Sequence, residues 1–218
     1  MSNSPKLHGP PETGRHNGMR GYSLIEIVVV VVIIMILMAM ALPQLVNFKK
    51  RYKSEDQAIK VMDLMREASQ LALTKRRVIR FELDRSDTTR TVVRLIDENG
   101  SGAADDVLLK TVPLEPMSEV RMDAAPDGVS VPAPPNYPEA VFASNVWSVS
   151  FTNTGTVVSP GGTPVSATIY SWPPKSVPWD PNDLTPRSMF EVRAITIYGG
   201  SGAVRFWKHD GTAFVPYQ

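Results

Sequence analysis

Twenty-one consecutive residues from Tyr22 to Leu42, YSLIEIVVVVVIIMILMAMAL, hold a single charge, Glu26. No other stretch constrains the fold as strongly. At about 1.5 Å of rise per residue, a helix of this length spans roughly the 30 Å hydrocarbon core of a bilayer. A helix on the surface of a soluble domain would carry a polar stripe, and none is present. The β-branched run from Val28 to Ile34 would suit a buried strand, but the length of the segment favours a membrane helix. Ahead of it Lys6, Arg15 and Arg20 outweigh Glu12, which keeps the N-terminus in the cytoplasm and sends the remainder across the membrane.

A cleaved secretory signal finds support in Ala39-Met40-Ala41, a small-x-small cleavage site. Against it, the apolar run exceeds the usual signal core, Pro43 lies just past the cut and a carboxylate sits inside the run. A plain membrane anchor has no use for Glu26 either, since a carboxylate at membrane depth costs about 2.5–3.5 kcal/mol on insertion scales. The carboxylate calls for a partner. Gly21-Tyr22-Ser23-Leu24-Ile25-Glu26 resembles the type III signal of type IV prepilins and type II secretion pseudopilins. That family shows Gly, an aromatic residue (usually Phe), Thr or Ser, Leu, Ile and Glu, then an apolar helix and a Pro. Counted from Tyr22, Glu26 is fifth and Pro43 twenty-second, as the family pattern has them. Tyr22 stands in place of the usual Phe, and Met35 stands where a helix-loosening Gly is common.

The resemblance implies that a prepilin peptidase cuts after Gly21 and that the new amine on Tyr22 is N-methylated. It also implies that Glu26 pairs with the N-terminal amine of a neighbouring subunit as a filament assembles. In apolar surroundings such a pair meets little competition from water and can set register. Snorkelling of Glu26 to the headgroups is the plainer alternative. Cleavage removes three of the 23 basic and one of the 22 acidic residues, leaving 20 and 21, a formal −1.

Beyond Pro43 the helix is expected to resume as an amphipathic continuation. Leu45, Phe48, Tyr52, Ile59, Met62, Met65, Ser69 and Ala72 follow helical spacings among polar positions, and this stripe would pack on the globular part. Pro43 would bend the helix or mark where it can stretch. Lys49, Lys50, Arg51 and Lys53 lie just outside the membrane, on the side positive charge usually avoids, but the leader charges should dominate.

The rest reads as strands: Val78–Asp84, Thr91–Asp97, Val107–Val112, Val146–Thr152, Ala167–Trp172 and Phe190–Tyr198. A hairpin through Gly199–Gly202 leads into Ala203–Lys208, and Pro-rich loops fall at Pro126–Pro138 and Pro173–Pro186. The expected fold class is α+β, a long N-terminal helix packed on a small antiparallel β-sheet domain. Its parts are a cytoplasmic leader (1–21), a transmembrane helix (22–42), an amphipathic continuation (43–76) and a β-rich periplasmic domain (77–218).

Leu95–Gly102, Val149-Ser150-Phe151 with Thr154-Gly155, and Arg193–Ile197 before a Gly turn resemble the minor-pilin and pseudopilin H group. That resemblance implies a minor subunit near the tip of a type IV pilus or a secretion pseudopilus in the inner membrane. Its partners would be the prepilin peptidase and other minor pilins. Some relatives bind DNA through a C-terminal Gly-Arg-x-Arg motif. Here the stretch reads Gly202-Ala203-Val204-Arg205, with Lys208 and Arg193 nearby, so the first arginine is missing. The net charge of +1 lacks a phosphate-neutralising excess, and nucleic acid is not the expected partner. A plain membrane-anchored β-domain protein is the remaining alternative.

No catalytic set emerges from the sequence, and an enzyme is not expected. With no cysteine, thiol chemistry and Cys-based zinc sites are excluded. Two of the three histidines, His8 and His16, lie in the leader, and His209 falls in a turn-like Lys-His-Asp-Gly stretch. Asp97, Asn99 and Ser101 hold positions 1, 3 and 5 of an EF-hand-like loop, with Gly100 before Ser101. Gly102 stands at position 6 and Asp105 at position 9. Position 12 is Leu108, so only a weak calcium site in the millimolar range could form, and an ordinary turn uses the same residues.

Overall fold

The computed structural model describes residues 23–87, 90–99, 105–115, 119–130, 132, 144–175 and 183–217, with the helical backbone alone for 42–54. About half of the two Pro-rich loops, 131, 133–138 and 176–182, lies outside the described residues. The chain divides into two compact units, Met1–Gln44 and Leu45–Gln218.

One helix, α1, runs from Leu24 to Lys75 over 52 residues. It continues through Pro43, so the division expected there is not an interruption of helical backbone; a proline costs a helix one hydrogen bond without having to end it. The end is a Schellman-type cap, in which the Arg77 N–H donates to the Ala72 carbonyl at 3.3 Å and Arg76 takes φ 54°.

The larger unit is built from β1 (Val78–Asp84), β2 (Val92–Glu98), β3 (Val107–Pro113), β4 (Glu119–Arg121) and β5 (Val146–Phe151). It continues with β6 (Val157–Val158), β7 (Ala167–Trp172), β8 (Arg193–Ile197), β9 (Val204–His209) and β10 (Phe214–Pro216). Two antiparallel sheets result, ordered β3-β2-β1-β5-β6 and β10-β9-β8-β7-β4. All six expected strands and the strand after the Gly turn are present within two residues, except that Met189–Glu191 forms a short 3-10 turn ahead of β8. The brief strands β4, β6 and β10 have no alternating apolar run to announce them.

β1 alternates as expected, with Ile79, Phe81 and Leu83 fully buried. Its outward residues form a charge ladder with β2: Arg94 bonds Glu82 and Asp84 at 2.8 Å each, and Arg80 bonds Glu98 at 2.8 Å and Asp106 at 2.7 Å. The second sheet differs. All six residues of β7 and all five of β8 are buried, because both faces are covered. Ala167, Ile169, Ile195 and Ile197 face the core shared with α1, whereas Tyr170, Trp172 and Ala194 belong to a second cluster against Val129, Leu184 and Phe214. Loop segments around 125–129 and 184–192 supply that second cover, which a helix on one face could not.

The buried face of α1 is a correction to the expected stripe. Ala58, Val61, Leu64, Met65, Ala68 and Ala72 line the core, while Ile59 is 36% exposed and Met62 and Ser69 are half-buried. Three of the buried six are alanines, whose small side chains let the helix backbone approach the sheets. Size decided the face as much as hydrophobicity did. At the far side, Arg85 after β1 pairs with Glu119 of β4 at 2.7 Å, both side chains 7% exposed, which ties one sheet to the other. Burial lowers the Arg85 pKa despite this partner.

Candidate functional site

Helix nucleation places the first candidate residue. Ser23 precedes α1, and its carbonyl accepts hydrogen bonds from the N–H groups of Glu26 (3.0 Å) and Ile27 (3.3 Å). Glu26 therefore stands in the first turn, three residues after a serine, at capping-box spacing and where the helix dipole favours an anion. That local role was legible in Ser23-x-x-Glu26 and adds to the membrane argument. The Glu26 side chain is exposed. Leu24–Ala41 is long and apolar enough to cross a membrane, and none of it is buried among the described residues. Gly21 and Tyr22 lie outside the described residues, and Pro43 is described only as helical backbone.

The candidate metal loop is crossed by cations. The buried Asp97 has Oδ2 3.5 Å from Lys75 Nζ and 3.7 Å from Arg77 Nη1, while its Oδ1 has no hydrogen-bond partner among the described residues. Arg77 Nη1 also donates to Asn99 Oδ1 at 2.7 Å. Asp105 is exposed, Asp106 is bound to Arg80, and Ser101 lies outside the described residues. Among the described residues no three His, Asp or Glu side chains converge as metal ligands.

The residues weighed for phosphate contact are dispersed. Arg193 is buried: its Nη1 donates to the carbonyls of Phe190 (2.7 Å) and Val192 (3.0 Å), and its Nη2 bonds Glu55 Oε2 at 2.9 Å. It is unavailable to a backbone phosphate. Arg205 lies 4.9 Å from the centre of the Tyr198 ring. His209 is not in a surface turn but buried at the end of β9, its Nδ1 accepting from the Gly211 N–H at 3.1 Å and its ring edge-on to Phe214. Burial holds its imidazole below the usual 6.5.

Residues 16–42 match the family model described as the prokaryotic N-terminal methylation motif. Two crystal forms of the Pseudomonas aeruginosa type IV minor pilin FimU show similarity at 14% identity. One has a TM-score of 0.44 over 74% of this chain and 96% of the other, and the second has 0.46 over 77% and 96%. No curated relative matches the chain. The chain thus carries a prokaryotic N-terminal methylation motif over residues 16–42, followed by an apolar helix that leads into an α+β domain.

Proposed function

We propose that this protein is a minor pilin or pseudopilin, a structural subunit and not an enzyme. A prepilin peptidase cuts after Gly21, Tyr22 is N-methylated, and residues 22–42 hold the subunit in the inner membrane with the β-rich domain on the periplasmic side. The mature protein then enters a type IV pilus or a type II secretion pseudopilus beside other minor subunits, at the tip. The observation that carries this reading is the methylation motif over 16–42, with Glu26 in the first turn of an apolar stretch, Leu24–Ala41, that has no cover among the described residues. An uncovered helix needs lipid or neighbouring subunits, and a processed prepilin meets both in turn. The later segments resembling the pseudopilin H group support a position at the tip. Weak calcium binding at Asp97, Asn99, Ser101 and Asp105 would stiffen the loop between β2 and β3.

N-terminal mass spectrometry of membrane-extracted protein tests the reading. The expected mature chain starts at methylated Tyr22. A start near Pro43, or an intact Met1, would sink it.

A further inference from the structure

We propose that β3 is a docking edge, extended by one strand of another protein in which lysine or arginine recurs at alternate positions. Among the described strands, β3 (seven residues) and β6 (two) are the outer strands of one sheet, and β10 and β4 (three each) those of the other. An outermost strand directs half of its backbone N–H and C=O groups away from its neighbour. Proteins blunt such edges by keeping them short, covering them or placing proline in them. Three of the four edges are blunted in those ways. β4 and β6 are brief, Val158 of β6 also bridges to Pro164, and β10 ends on Pro216, which has no N–H. β3 is guarded less. It has a bulge opposite Leu95 and Ile96 and ends on Pro113, yet it is more than twice as long and leaves Val107 47% and Leu108 56% exposed.

The side chains that a guest strand turns toward α1 would enter a groove of about 400 Å³ between α1 and β3. The groove's own cations are committed: Lys110 of β3 is bound to Glu67 at 2.7 Å, and Lys60 donates to the Pro113 carbonyl at 3.3 Å. Asp56 and Asp63 also line it, are exposed and have no ion pair among the described residues. Two open carboxylates beside an open strand edge select cations on every second residue of the guest, because strand residues i and i+2 share a face. Backbone bonds supply the attachment, and charge decides which face of the guest turns inward. A second copy of this chain does not meet the requirement. Among its described outer strands, β6 and β10 carry no cation, Arg121 of β4 bonds Asp123 at 2.8 Å and Lys110 is taken by Glu67.

The probe is a short synthetic peptide alternating lysine and valine, added to the full-length protein in a neutral detergent. At saturating peptide, hydrogen exchange of the β3 amides should slow about fivefold or more, with β10 unchanged. The same peptide N-methylated at alternate residues cannot complete a ladder and should bind about tenfold more weakly. A version with glutamate for lysine should lose about as much. Asp56→Asn with Asp63→Asn changes only exposed side chains and should weaken the parent peptide about threefold or more. Equal binding of the N-methylated or glutamate peptide, equal protection at β10, or no protection at β3 overturns the proposal. Protection of β3 that rises with protein concentration in the absence of peptide would make a second copy the occupant, and overturns it too. The edge is present whether or not the leader is removed, so these outcomes are separate from those of the processing test.

Discussion

Arg193 Nη2 and Glu55 Oε2 lie 2.9 Å apart across 138 positions of chain, joining β8 to the first turn of α1 with described side chains. Arg193 is on the β8 face that carries Ile195 and Ile197, so its charge enters the core side of the sheet, where only 6% of its side chain is exposed. Glu55, at 29%, keeps contact with water. The pair positions the helix laterally over the sheet, which alanine contacts alone would leave free to slide.

Removing both partners should therefore cost less than the two single removals summed. Glu55→Leu leaves a buried guanidinium with two carbonyls as its remaining partners and should destabilise by about 2–3 kcal/mol. The Glu55→Leu/Arg193→Leu double variant should fall short of the summed single costs by about 1 kcal/mol or more. Urea melts of the four proteins provide the cycle, and strict additivity would show that the pair is uncoupled.

Two glycines with similar backbone angles should respond differently to substitution. At Gly202 (φ 62°) a Cβ would come within 2.6 Å of the Gly155 carbonyl oxygen, where the β8–β9 turn touches the β5–β6 turn. At Gly162 (φ 79°) a Cβ would have nothing within 4 Å. Gly162→Ala should cost about 1–2 kcal/mol through the left-handed conformation alone. Gly202→Ala adds a backbone clash and should cost about 3 kcal/mol or more. Equal melting shifts would mean the turns separate easily.

His209 sets an acid-side dependence of stability. Its folded pKa is below 6.5, so on falling pH the unfolded chain takes up a proton that the folded chain resists. The contribution is complete above the unfolded value and is lost as pH falls through the folded one. Protonation of Nδ1 would also break the bond from the Gly211 N–H. His209→Gln should flatten the melting-temperature profile between pH 7 and 5, leaving the carboxylate transitions below it. An unchanged slope would place the titration elsewhere.

Cleavage and assembly should separate genetically. Gly21→Leu puts bulk at the scissile position and should block processing. Glu26→Val should remain a cleavable membrane protein, easier to insert by about 2.5–3.5 kcal/mol, yet incorporate poorly if Glu26 pairs with a neighbouring subunit's N-terminal amine. Immunoblots for leader removal and cross-linking to partner subunits supply the two readings. Normal incorporation of Glu26→Val would show that this pair is not used.

Calcium must compete with cations already at Asp97. Arg77→Ala removes one of them and frees Asn99. Calorimetry should show heat at millimolar calcium that is stronger in Arg77→Ala and lost in Asp97→Ala. No heat in any variant would leave the loop as a turn.

Much was determined by residue order alone. The apolar run and the alternation of β1 are local patterns that bilayer thickness and strand period read directly, whereas the Gly21/Glu26 spacing was read through its resemblance to the prepilin signal. The capping-box spacing of Ser23 and Glu26 is local too. The buried face of α1 depended on something else: which neighbours it meets. Ala58 and Ala68 look indifferent in sequence and become core because a sheet approaches closely there. Full burial of β7 and β8 required a second cover from distant loops, and the fate of Arg193 required Glu55, 138 positions away in the chain. A pattern with a fixed period belongs to the sequence, whereas a buried charge acquires its meaning only from the group that tertiary packing sets within hydrogen-bond distance of it.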